Sequence, residues 1–200
     1  MPTGPAPCAG VVLTGGASRR MGRDKAAITM GGATLAARTA AMLAACASPV
    51  VELGPGRSGV PAVPDAGGGP LAALAAAGTL WADLPDGGAV LVVATDLPRL
   101  SAGLLTWLGG HPAGGAVVPL DGAGRPQWLC ARYPVAALRA LAVTGPGDGR
   151  LSTWARSLHP TMAGPEVWLP AAGDPCALDD ADDPDDLARL AGRAIPVTPT

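Results

Sequence analysis

The chain concentrates chemically able side chains in a few short runs. The first extends from Val11-Val12-Leu13 through Thr14-Gly15-Gly16 to Ser18-Arg19-Arg20-Met21-Gly22-Arg23-Asp24-Lys25. An apolar stretch stops at paired glycines, and a cationic loop follows. Glycine lets the backbone turn where other residues cannot and brings N–H groups against an anion. Arg19, Arg20 and Lys25 supply charge that suits a nucleoside triphosphate. No G-x-x-x-x-G-K-[ST] string occurs, which excludes a Walker A loop, and Gly15-Gly16 followed by Gly22 does not fit the G-x-G-x-x-G dinucleotide fingerprint. Gly-rich turns after strands are common in any case. With 29 Gly and 22 Pro in 200 residues, the glycines alone leave a structural role open.

The carboxylates form a second set. Asp96 follows an apolar run in Ala94-Thr95-Asp96-Leu97-Pro98. A carboxylate at the carboxyl tip of a strand suits Mg²⁺ on phosphate oxygens, because Mg²⁺ takes one or two protein carboxylates and keeps several waters. An Asp before Pro98 also caps turns. Asp65 precedes Gly67-Gly68-Gly69-Pro70-Leu71, a polar turn with or without a ligand. Near the end stand Asp180, Asp182, Asp183, Asp185 and Asp186. Asp185 and Asp186 fall in a first helical turn, where acids suit the dipole, while Asp180 and Asp182 precede it and can face a site. Arg125-Pro126-Gln127 offers one cation, of a kind that is usually solvated.

These groups need a scaffold, and strand and helix signals alternate. Strands are expected over 9–13, 49–53 and 89–94, helices over 33–47, 70–81 and 101–108. A strand pair over 116–119 and 127–133 surrounds an Asp-Gly turn, helices cover 134–143 and 151–158, and a last short strand covers 166–169. Asp183-Pro184 opens a final helix to about residue 191. Apolar strands alternating with helices imply a mostly parallel sheet covered on both faces, with a small antiparallel extension. Ligands of such sheets bind beyond the carboxyl ends of the strands, where the glycine turn and Asp96 belong.

Composition narrows the classes. Mean hydropathy of +0.31 argues for a packed domain. With no Phe and one Tyr, the core must come from Ala, Val and Leu, aided by five Trp and five Met. Net charge is −2, so there is no basic field for a nucleic-acid backbone. No run reaches the ~18 apolar residues of a membrane span. Cys8, Cys46, Cys130 and Cys176 form no C-x-x-C pair, which disfavours zinc, and Cys46 and Cys130 read as small core residues. The chain reads as cytoplasmic with reduced thiols. His111 and His159 sit beside prolines and suggest surface positions.

The run from Leu13 to Lys25 resembles the signature loop of the molybdenum cofactor guanylyltransferases, the MobA type of nucleotidyltransferase. Thr95-Asp96-Leu97-Pro98 is similar to the family's Asp-x-Pro metal motif, and Asp65 to the Asp ahead of its Gly-Pro-Leu motif. Residues 180–187 and Arg125-Pro126-Gln127 resemble two later segments, and the resemblance spans about residues 10–190. It implies a three-layer, Rossmann-like α/β nucleotidyltransferase fold in one domain, with a core at 9–192 and loose tails at 1–8 and 193–200. It implies transfer of GMP from GTP to the phosphate of molybdopterin, release of pyrophosphate, and Mg²⁺ as cofactor. The nucleotide would meet Leu13, Thr14, Gly15, Gly16, Lys25, Asp65 and Asp96, with Lys25, Arg20 and Asp96 catalytic and Asp96 holding the metal. Arg125, Asp180 and Asp182 would face the acceptor. A molybdenum-insertion protein and recipient molybdoenzymes are the implied partners. Three positions depart from the pattern: Thr14 replaces Ala, Ala73 replaces Gly, and Leu53-Gly54-Pro55-Gly56-Arg57 lacks the Asn expected near the tip of the second strand. A molybdopterin cytidylyltransferase, a sugar-phosphate nucleotidyltransferase and a non-catalytic binder on the same fold remain alternatives; Gly15-Gly16 and Asp24-Lys25 favour guanine.

Overall fold

The computed structural model describes residues 8–15, 25–65 and 67–192. Gly16 and Arg20, with the rest of 16–24, lie outside the described residues, as do 1–7 and 193–200; Lys25 is described by its backbone alone. Strand β1 is Cys8–Leu13, so Cys8 belongs to the sheet and not to the expected tail. A 3-10 turn at Lys25–Ala27 leads to a hairpin of β2 (Thr29–Met30) and β3 (Ala33–Thr34) across Gly31-Gly32. Both glycines have positive φ, as a two-residue hairpin loop requires. Helix α1 is Leu35–Ala44, shorter than the expected 33–47 because Thr34 caps it, its hydroxyl accepting from the Ala37 amide at 3.1 Å.

Strands β4 (Val50–Leu53) and β5 (Ala62–Val63) precede α2 (Pro70–Ala76) and α3 (Gly78–Ala82). The helix expected over 70–81 is broken at Ala77, which leaves the helical region and lets α3 turn its Trp81 inward. Next come β6 (Ala89–Ala94), α4 (Ala102–Gly109) with Ser101 as its cap, β7 (Val117–Pro119), β8 (Cys130–Pro134), α5 (Val135–Thr144) and α6 (Leu151–Ser157). Strand β9 (Thr161–Ala163), α7 (Pro165–Ala172) and α8 (Pro184–Ala191) complete the chain.

The strand expected over 166–169 is therefore a helix. Glu-Val-Trp-Leu reads as a strand on side chains alone. Its flanks decide otherwise: Gly164 is extended at the N-cap, Pro165 occupies the first turn, and Gly173 ends the helix in the left-handed region. The strand stands just upstream, as β9.

Seven strands form one sheet in the order β5-β4-β1-β6-β8-β7-β9. Only β8 runs against its neighbours, antiparallel to both β6 and β7. Successive residues of the central strands feed opposite faces. Val11, Leu13, Val90 and Val92 pack with Leu71, Leu74, Trp81, Leu138 and Leu141 beneath α2, α3, α5 and α6. Val12, Leu91 and Val93 pack with Leu43, Leu104, Leu105, Leu108 and Trp168 beneath α1, α4 and α7. The result is three layers. In a core without Phe, Trp81 and Trp168 fill the largest volumes, each donating its indole N–H to a carbonyl, of Leu74 and Leu120 respectively, at 2.9 Å. Of the described methionines, Met42 packs only against the margin of this core and Met30 and Met162 stand outside it, so Met contributes less than expected. No helix among the described residues is long and apolar enough to cross a membrane.

Candidate functional site

Register brings the chemistry together. Leu13, the last residue of β1, pairs with Leu53 of β4 on one side and with Ala94 of β6 on the other. Two residues further along each strand stand Gly15 and Asp96, so the glycine turn and the carboxylate leave the sheet side by side. Asp65 closes on them from the far side: its Oδ2 stands 2.3 Å from where a Cβ on Gly15 would lie. Any side chain at Gly15 collides with that carboxylate. Asp65 also accepts from the Gly67 amide at 2.9 Å, opening a turn in which Gly67, Gly68 and Gly69 have φ of 87°, 90° and 87°. Three successive positive φ angles explain the glycine run.

A third carboxylate stands under this edge. Glu52, in the apolar Val50-Val51-Glu52-Leu53, is completely buried. The Thr14 hydroxyl donates to its Oε1, and so do the amides of Gly56 at 2.7 Å and Arg57 at 2.9 Å. Its Oε2 accepts from the Ser58 amide at 2.7 Å and the Ser58 hydroxyl at 2.5 Å. Burial pushes the Glu52 carboxyl up, but the bonds from Ser58, Thr14 and the Arg57 amide outweigh it and hold the group at about 2. The Thr14 amide is taken by the Leu53 carbonyl at 3.2 Å. Two of the departures in sequence, Thr14 and the Asn-less tip of β4, thus meet at Glu52.

Beyond Asp96 opens a cleft of about 200 Å³ lined by Asp96, Leu97, Pro126, Gln127, Trp128, Leu129 and Asp180. The Ala181 amide donates to the Asp96 carbonyl at 2.9 Å, stitching the late acidic segment onto the β6 tip. The other wall is a turn built on Asp121. Its buried carboxylate accepts from the Ala123 and Arg125 amides at 2.9 Å, from Arg125 Nε at 2.7 Å and from Gln127 Nε2 at 3.2 Å. Burial raises the Asp121 carboxyl, and the Arg125 and Ala123 bonds overcome this and hold it below the usual carboxylate range. The turn presents an exposed Arg125, whose Nη2 lies 3.9 Å from Asp180 Oδ1. Trp128 lies on the same wall, and the Arg156 guanidinium stands 5.6 Å from its ring centre.

Behind the Asp96 loop runs a buried strut. Arg99 binds Asp174 Oδ2 through Nε at 2.7 Å and Nη2 at 2.5 Å, and its Nη1 donates to the Leu190 carbonyl at 2.9 Å. Asp174 Oδ1 accepts from the Cys176 amide at 2.9 Å. This fixes the segment that carries Asp180.

The structure therefore groups Leu13, Thr14, Gly15, Asp65 and Asp96 at one edge, with Asp180 and Arg125 across the cleft from that edge's Asp96. Asp182 does not line the cleft; its amide donates to Asp186 at 3.3 Å. Asp183 caps α8 through the Asp186 amide, and Asp186 pairs with Arg189 at 2.9 Å, so the first-turn acids act on the helix as expected. His111 packs edge-on against Trp107 and His159 is exposed, neither in the cleft. Cys130 is core, whereas Cys46 is only half-buried in the turn after α1. Among the described residues no three His, Cys, Asp or Glu side chains gather as a metal cage. The cleft's ionisable donors are carboxylates, oxygen ligands that suit a hard cation completed by phosphate and water. Sequence reasoning missed Glu52, Asp121 and the Arg99–Asp174 strut. A lone Glu in an apolar parallel strand was the available signal for the first.

Over residues 10–161 the chain matches the MobA-like NTP transferase domain. It is 31% identical over 193 residues to the molybdenum cofactor guanylyltransferase of Rhodobacter capsulatus, a match spanning 92% of this chain and 95% of that protein. It is 38% identical over 125 residues to the molybdenum cofactor guanylyltransferase of Rhizobium johnstonii, spanning 59% and 60%. Among solved structures, molybdopterin-guanine dinucleotide biosynthesis protein A from Archaeoglobus fulgidus superposes with a TM-score of 0.69 at 23% identity, over 92% of this chain and 96% of that one, a likeness of fold.

Proposed function

The chain belongs to the MobA-like NTP transferase family, and we propose that it transfers GMP from GTP to the phosphate of molybdopterin, releasing pyrophosphate. The observation that carries this reading is the register of β1 against β6, which sets the glycine turn beside Asp96 at the mouth of a cleft.

An acceptor phosphate oxygen attacks the α-phosphorus of GTP, the bond from that phosphorus to the bridging oxygen breaks, and pyrophosphate leaves. The acceptor phosphate is already ionised at neutral pH, so no side chain has to remove a proton. The chain's task is to bind, align and neutralise. The backbone at Leu13, Thr14, Gly15 and Gly16, with Asp65, holds the nucleotide. Lys25 and Arg20 are the cations assigned to neutralise the phosphates. Asp96 is the residue that would hold Mg²⁺, and the ion would offset the negative charge of the phosphate oxygens. Arg125 draws the acceptor phosphate into the cleft, with Asp180 on the acceptor side.

Pyrophosphate release with Mg²⁺ and molybdopterin, compared among GTP, CTP, ATP and UTP, tests the reading. Release with GTP alone, abolished by Asp96→Ala and by Lys25→Ala, supports it. Release with CTP alone moves the base assignment to cytosine. Silence with all four from folded protein overturns it.

A further inference from the structure

Glu52 is the most deeply buried carboxylate among the described residues, and the mechanism above does not use it. Five donors converge on it: the Thr14 hydroxyl, the Gly56, Arg57 and Ser58 amides and the Ser58 hydroxyl. A carboxylate has about four lone-pair sites, so this one is saturated and has no capacity to read a base. What it does is join two strand tips. Thr14 continues β1, and residues 54–58 continue β4. Gly54 makes the join possible: a Cβ there would stand 2.0 Å from the Thr14 hydroxyl, 3.1 Å from Glu52 Oε1 and 3.1 Å from the Gly15 amide nitrogen.

Resting on the guanylyltransferase reading, we infer that Glu52 is a positioning residue for nucleotide selection, acting through Thr14 to fix the Thr14-Gly15 backbone and the 54–58 loop as one rim of the base pocket. The Thr14 and Gly15 backbone assigned to the nucleotide must be held in place to discriminate between nucleotides, and two glycine-containing loops do not hold themselves. The charge matters as well as the shape. Glu52→Gln keeps the volume, but its amide nitrogen must face either the Ser58 amide or the Gly56 and Arg57 amides. Either orientation sets donors against donors and releases one side of the rim.

The test is titration calorimetry of GTP and CTP with Mg²⁺, which needs no acceptor, on the wild-type chain, Glu52→Gln and the milder Ser58→Ala. Circular dichroism and gel filtration check the fold of each. Glu52→Gln is expected to weaken GTP binding about tenfold, the size of one uncompensated buried hydrogen bond, and to narrow the GTP-to-CTP ratio. Ser58→Ala is expected to move both the same way by less, and it carries the test if the glutamine variant does not fold. An unchanged Kd and ratio in a folded variant overturns the inference. So does a lower fraction of competent sites with both constants unchanged, the signature of a purely structural role. A wild-type chain that binds GTP but releases no pyrophosphate counts against the reaction and leaves this comparison standing.

Discussion

Replacing Arg99 with Leu isolates the energetic role of the strut behind the Asp96 loop. Both side chains of the Arg99–Asp174 pair are nearly buried, at 7% and 8% exposure. Leu fills much of the volume of the arginine stem, so cavity formation contributes little. What remains is Asp174 stripped of two guanidinium bonds while its Oδ1 keeps the Cys176 amide. Leaving one member of a buried pair uncompensated costs about 3–5 kcal/mol. The surviving amide bond places the expectation near the low end, about 3 kcal/mol. With a urea m-value of roughly 2 kcal/mol/M, the midpoint should fall by about 1.5 M. The assay is equilibrium urea unfolding followed by tryptophan fluorescence. Arg99→Leu/Asp174→Asn supplies the control: it removes the orphaned charge yet keeps an oxygen for the Cys176 amide, and it should recover part of the loss. A single variant within about 1 kcal/mol of wild type, or a double variant no more stable than the single one, refutes the reasoning.

The remaining predictions concern other groups. Glu52 titrates at about 2 in the folded chain against an ordinary 4.5, so its contribution is complete above about pH 4.5 and is lost as pH falls towards 2. This amounts to on the order of 3 kcal/mol, and acid unfolding of Glu52→Gln should lack that part of the slope. Gly15→Ala forces the Asp65 carboxylate aside and should weaken GTP binding in calorimetry while leaving the circular dichroism spectrum intact. The Cys130 thiol, pushed up to about 12 by burial, should resist iodoacetamide at pH 8 until the chain is unfolded, as mass spectrometry of the labelled protein would read.

The central strands and the position of the site were legible because local signals and long-range packing agree there. An apolar run ending in glycines, and another ending in Asp, hold wherever the sheet is buried. Asp183-Pro184 opened α8 as expected, since a cap and a first-turn proline act within a few residues. The failures lie where neighbours decide. Strands β2, β3, β5 and β9 are two or three residues long and exist only because a partner strand is present. Helix α7 was hidden by the strand formers Val167 and Trp168, whose flanking Gly and Pro outweighed them. Glu52 was passed over because three of its five donors are backbone amides, which leave no trace in residue type.

The stitching of the Asp96 loop also fixes an order of events during synthesis. Asp96 receives the Ala181 amide, and Arg99 reaches Asp174 and the Leu190 carbonyl, 75 and 91 residues downstream. Strands β1, β4 and β6 can pair as soon as they clear the ribosome. The cleft beside them gains its Asp180 wall only after the stretch from Asp174 to Leu190 has emerged and closed back. A nascent chain will therefore carry a formed sheet and a glycine turn before it has a finished acceptor side, and competence waits for that downstream closure.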